Sequence, residues 1–136
     1  VSLDIPLAFI EKRRIANDSK AMALTLIGDV KDRDVIIVDD EVDTGGSIAQ
    51  AVNLARDSGA KNIYVVFVHP VFSADCVNRL INLPVTEFIT TDTIPVPPAK
   101  LALFNGRLTI LSIAPLLGEV IQRANEGRSV GELFNE

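Results

Sequence analysis

Asp39, Asp40, Glu41 and Asp43 place four carboxylates in five positions, directly after the apolar run Val35-Ile36-Ile37-Val38 and directly before Thr44-Gly45-Gly46-Ser47. Like charges this close disfavour one another's ionised form, so the cluster costs stability unless something uses it. The four residues after it suggest the use. Thr44, Gly45, Gly46 and Ser47, lying between a strand and a helix, offer successive backbone N–H groups, and glycine permits a turn tight enough for those groups to converge on one anion. Asp39 and Asp40 cannot bind an anion, but acceptor-only carboxylates suit a pair of adjacent sugar hydroxyls or a hydrated Mg²⁺. A sugar phosphate satisfies both halves. The plainer alternative is an acidic loop that only caps the following helix through Asp43 or Ser47; four acids beside two glycines are too repulsive for a plain turn. The segment is not a P-loop, because no lysine follows Gly46, and it lacks the G-x-G-x-x-G spacing of a dinucleotide-binding turn.

A second group, Lys12-Arg13-Arg14, stands out in an acidic chain. It reads either as an anion clamp or as a solvated charge run. His69 is the only histidine and has no evident catalytic partner, and Cys76 sits among apolar neighbours at helical spacing; both read as packing residues.

The elements around the cluster follow from periodicity. Residues 5–10 read as a short strand, residues 11–20 as a charged break, residues 23–27 as a further apolar run and residues 28–33 as a turn. Residues 35–38 form a strand. The segment 47–58 carries Ile48, Ala51, Val52 and Ala55 at helical spacing and stops at Gly59. Residues 63–68 are apolar throughout, as a central parallel strand covered on both faces requires. Ser73 is placed to cap a helix over residues 74–81, residues 88–89 and 108–111 read as strands, and Pro115 opens a last helix running through Arg123. Residues 91–100, with Pro95, Pro97 and Pro98, read as a loop. Strands alternating with helices imply right-handed crossovers and a mostly parallel central sheet with helices on its faces, a three-layer α/β domain spanning residues 1–136. In such sheets ligands bind beyond the carboxyl ends of the strands, where the acid-glycine segment lies.

Composition sets the context. A chain of 136 residues, 48% of them hydrophobic, can bury a real core. A formal net charge of −5 argues against a nucleic-acid surface, and no apolar run reaches the length of a membrane span. The single cysteine gives no support to an oxidising compartment, which leaves the cytoplasm as the expected location. With no targeting signal and no initiator Met, the chain is expected to start inside a longer protein.

The segment IIVDDEVDTGGSI at residues 36–48 resembles the phosphoribosyl pyrophosphate loop of type I phosphoribosyltransferase folds. PLAFIEKRR, IGDVKDRDVIIVDD, SGAKNIYVVFVHPVFS and the tail SVGELFNE narrow the resemblance to ribose-phosphate pyrophosphokinases, over essentially the whole chain, which looks like the C-terminal half of such an enzyme. The resemblance implies transfer of the β,γ-diphosphoryl group of ATP, with Mg²⁺, to the C1 hydroxyl of ribose 5-phosphate. It implies that Asp39 and Asp40 hold the ribose hydroxyls and that Asp43, Thr44, Gly45, Gly46 and Ser47 wrap the 5-phosphate. Lys12 and Arg14 match a cationic pair on the family's flexible catalytic loop and would stabilise charge on the transferred phosphates, while no residue is assigned to a protein-held metal. A homo-oligomer, from dimer to hexamer, is implied as well. The ATP-binding half would lie upstream of Val1, so the isolated chain is expected to be inactive. Two other readings share the loop: a nucleobase phosphoribosyltransferase, whose base-recognition hood is not evident at either terminus, and a non-catalytic relative of the synthetase, which would have no reason to keep the acid cluster.

Overall fold

A computed structural model of the chain describes residues 5–14 and 22–134. Six strands and four helices follow in the order β1 (Phe9–Arg14), β2 (Met22–Ile27), β3 (Val35–Glu41), α1 (Gly46–Asp57), β4 (Ile63–His69), α2 (Cys76–Ile81), β5 (Glu87–Thr91), α3 (Pro98–Leu103), β6 (Leu108–Leu111) and α4 (Ala114–Glu126), closed by a 3-10 turn at Gly131–Phe134. The α/β class and the mostly parallel sheet anticipated from the sequence are present. β3, β4, β5 and β6 pair in that order, all parallel.

The core lies on one face of this sheet. Strand alternation sends Ile63, Val65 and Phe67 of β4 and Phe88 of β5 to the same side, where they meet Ile48, Val52 and Ala55 of α1 and Cys76, Val77 and Leu80 of α2. Phe67, Phe72, Phe104 and Phe88 form a chain of ring contacts with centroids 5.7, 5.9 and 5.4 Å apart, joining β4 to β5 through the loop after β4 and the end of α3. The other face differs from expectation for β4. Tyr64 and Val66 are half-buried and Val68 is exposed, while on β3 Ile36 and Val38 are 53% and 74% exposed.

Several boundaries also moved. The strand expected over residues 5–10 runs from Phe9 through Arg14, so four charged residues of the expected break are strand, paired antiparallel with β2 in a separate two-stranded sheet. Cross-strand pairing with β2 accommodates these residues in a strand. Residues 15–20, the rest of the expected break, lie outside the described residues. Ser73 does not cap α2. Asp75 precedes that helix without a side-chain cap, and the Ser73 N–H donates instead to the Asp43 carbonyl at 3.0 Å. The proline-rich stretch expected to be loop, residues 91–100, contains the start of α3, since Pro98 sits where a helix's first N–H has no intrahelical acceptor.

Candidate functional site

β3 runs through Asp39, Asp40 and Glu41, so the acids belong to the strand rather than to a loop beyond it. Asp39 continues the inward face of Val35 and Ile37, in register with buried Phe67, whereas Asp40 continues the outward face of Ile36 and Val38. Local hydrogen bonds offset part of the repulsion. The Asp39 carboxylate accepts the Asp40 N–H at 3.0 Å, and the Asp40 carboxylate accepts the Glu41 N–H at 2.9 Å. Each engages one Oδ1, and each carboxylate carries a second oxygen.

Val42 then ties the turn to the sheet. Its side chain is buried, its N–H donates to the His69 carbonyl at 3.0 Å, and its carbonyl accepts the Phe72 N–H at 2.9 Å. Beyond this anchor the chain turns through Asp43 and Thr44 into Gly45, whose φ of +74° is the left-handed conformation that glycine adopts without a Cβ penalty. α1 begins at Gly46, and its first intrahelical bond runs from the Ala49 N–H to the Gly45 carbonyl at 3.0 Å. The first turn of an α-helix cannot bond its N–H groups to carbonyls four residues earlier within the helix, and the positive end of α1 lies at this turn. The N-cap position of α1 is Gly45, which has no side chain with which to cap the helix.

The ten residues from Asp39 to Ile48 line one depression of about 340 Å³. It joins carboxylate oxygens at one end to helix-terminal amides at the other. That is the polarity a small polyol bearing an anionic group requires. Under the turn, Cys76 and Leu80 of α2 close the floor. A Cβ on Gly45 would stand 3.0 Å from the Cys76 Sγ and 3.3 Å from the Leu80 Cδ2, so side chains exclude any larger residue there. Burial pushes the Cys76 thiol up to about 11, opposed in part by Arg79, which leaves it a neutral packing group as expected from the sequence. His69 shares its Nδ1 with the Thr93 hydroxyl at 3.0 Å.

The cationic pair belongs to another element. Lys12 and Arg14 stand in β1, opposite Leu24 and Met22, and their side chains lie outside the described residues. Among the described residues no set of His, Cys, Asp and Glu side chains forms a metal-binding group, and no helix is long and apolar enough to cross a membrane. Missed from the sequence were the α2 residues that support the turn. Arg79 is foremost: its Nη1 donates to the Thr44 carbonyl at 2.8 Å. Thirty-five positions separate the two, beyond the reach of any local pattern.

A parallel sheet with a glycine turn opening a helix N-terminus and an acid pair at the preceding strand end places the chain in the phosphoribosyltransferase-like class of α/β folds. Within that class it belongs to the phosphoribosyl synthetase-associated domain family, which matches residues 10–135. A ribose-phosphate pyrophosphokinase of Bifidobacterium longum is 45% identical over 131 residues, covering 96% of this chain and 38% of the relative. One from Deinococcus radiodurans is 41% identical over 132 residues, covering 97% of this chain and 41% of the relative. The crystal structure of the phosphoribosylpyrophosphate synthetase of Mycobacterium smegmatis superposes with a TM-score of 0.78 at 41% identity, over 90% of this chain and 38% of that one. The chain thus spans about two-fifths of the length of the relatives it matches.

Proposed function

We propose that the chain is the pentose-phosphate-binding domain, residues 1–136, of a ribose-phosphate diphosphokinase. The observation that carries this reading is the single depression in which strand-end carboxylates face helix-terminal amides. The 5-phosphate of ribose 5-phosphate takes the amides of the Gly45–Gly46 turn together with the Thr44 and Ser47 hydroxyls, and Asp43 completes the turn. Asp39 and Asp40 accept hydrogen bonds from the ribose hydroxyls. In the reaction the C1 hydroxyl oxygen attacks the β-phosphorus of ATP, the bond from that phosphorus to the α,β-bridging oxygen breaks, and AMP leaves while the hydroxyl proton passes to solvent. Lys12 and Arg14 offset the charge developing on the transferred phosphates. The names of the relatives favour this reading over a nucleobase phosphoribosyltransferase or a non-catalytic relative.

Mg²⁺ fits as a companion of ATP. The two aspartates with spare oxygens suit an ion that keeps waters and substrate phosphates as its other ligands, rather than a caged one. Its chemistry would be neutralisation of phosphate charge. Turnover belongs to the longer protein, in which this chain forms the C-terminal half; a cytoplasmic homo-oligomer with neither nucleic acid nor membrane as a partner follows from the resemblance and the acidic composition.

The test is Asp39→Asn combined with Asp40→Asn. Calorimetry is expected to show a tenfold or greater loss in ribose 5-phosphate affinity, about the strength of one to two charged hydrogen bonds, with inorganic phosphate affinity kept or improved. Equal losses for both ligands would rule out this division of labour.

A further inference from the structure

The amide seat is only as good as the orientation of its peptides, and one of them is fixed from outside the loop. Cys76, Arg79 and Leu80 lie at i, i+3 and i+4 on α2 and so share one face. That face meets the turn: Cys76 and Leu80 beneath Gly45, and the Arg79 Nη1 3.6 Å from where a Cβ on Gly46 would stand. α2 is itself held in place, since Arg107 donates to the carbonyl of its last residue, Ile81, at 2.6 Å and to the Val85 carbonyl at 3.1 Å.

We propose that Arg79 is the positioning residue of the phosphate subsite, orienting the Thr44–Gly45 peptide and supplying the positive charge that the acid-rich turn lacks. This role rests on the sugar-phosphate reading given above. The Thr44 carbonyl and the Gly45 N–H belong to one planar peptide and, with no cis bond in the described backbone, point in opposite directions. Drawing the carbonyl toward α2 at 2.8 Å therefore turns the Gly45 N–H away from α2. The Gly46 and Ser47 amides follow from the start of α1 and need no such help. Charge gives the second reason. A phosphate dianion approaching Asp39, Asp40, Glu41 and Asp43 meets a repulsive field, and Arg79 brings a guanidinium to the Thr44–Gly46 backbone. Its fork carries more N–H donors than the Thr44 carbonyl uses. The alternative role, a cation neutralising the last turn of α2, asks nothing of Thr44 or of any ligand.

The experiment compares the wild-type chain with Arg79→Ala and Arg79→Lys. Calorimetry is run with inorganic phosphate and with ribose 5-phosphate, and the Gly45 and Gly46 amide resonances are followed by NMR. Arg79→Ala is expected to lose roughly tenfold for both ligands, as suits one exposed charged hydrogen bond. This differs from Asp39→Asn with Asp40→Asn, whose loss is confined to the sugar phosphate. The phosphate-induced shift of the Gly45 amide should shrink, and Arg79→Lys, which restores charge without the planar fork, should recover part of the affinity. Should Arg79→Ala fail to fold, Arg79→Gln carries the same comparison. Wild-type binding with unchanged affinity and an unchanged Gly45 shift in the variants would overturn the role of Arg79 alone. Absence of binding in the wild type would overturn the sugar-phosphate reading and this role with it.

Discussion

Gly45 concentrates the constraints on the turn. Its φ of +74° would cost any L-residue about 1–2 kcal/mol, and a Cβ would press on the Cys76 Sγ at 3.0 Å. Gly45→Ala should lower the urea midpoint clearly, whereas Gly46→Ala, whose Cβ would meet nothing closer than 3.6 Å, should cost much less stability. Similar losses for the two would show that the turn has room to rearrange. Cys76 offers a second check. Its thiol, raised to about 11 by burial, is neutral at pH 7, so alkylation by iodoacetamide should be slow in the native chain and fast in denaturant. Rapid native alkylation would mean that α2 opens readily from the turn. At this scale the acids and glycines were legible because they are contiguous, Asp39 to Ser47. Arg79 was not, because its value lies in a contact between two elements rather than in a pattern along one.

Among the elements, legibility followed the strength of the hydrophobic period. α1 and β4 present unbroken patterns, helical and continuous respectively, and both lie within a residue of expectation. β1 was displaced and α3 missed because their signals conflict: β1 carries Glu11, Lys12, Arg13 and Arg14 in a paired strand, and α3 begins on the last of three nearby prolines. α4 has an N-terminal fastening that no motif announced. The Asp92 carboxylate accepts the Ile113 N–H at 2.9 Å, and the Ser112 hydroxyl, the larger influence, together with that amide holds its carboxyl below the usual carboxylate range. A lowered folded-state value means that this contribution is present above the unfolded carboxylate range, near pH 4, and fades as the pH falls through the lowered value. Hydrogen exchange at Ile113, corrected for intrinsic rate, should therefore accelerate on acidification below about pH 4 in the wild type, and Asp92→Asn should abolish that dependence. A profile identical in both would place the fastening elsewhere.

For the molecule as a whole, alternation of strand and helix was enough to anticipate a parallel sheet. It could not reveal that the two faces of β3 and β4 are unequally covered, since a fully apolar strand reads the same whether one face or both are packed. The proposed turnover belongs to a longer protein of the kind this chain matches in part. There, Lys12→Ala should lower kcat with little change in ribose 5-phosphate affinity, as expected of a group that acts on charge developing in the transition state, and a pure binding defect would remove Lys12 from the chemistry. The central claim, that Asp39 through Ser47 form a working pentose-phosphate site, can be tested on this chain alone. Calorimetric titration with ribose 5-phosphate in the presence of Mg²⁺, against ribose and inorganic phosphate separately, is expected to show the intact sugar phosphate binding far more tightly than either fragment. Binding no tighter than that of phosphate alone would contradict it.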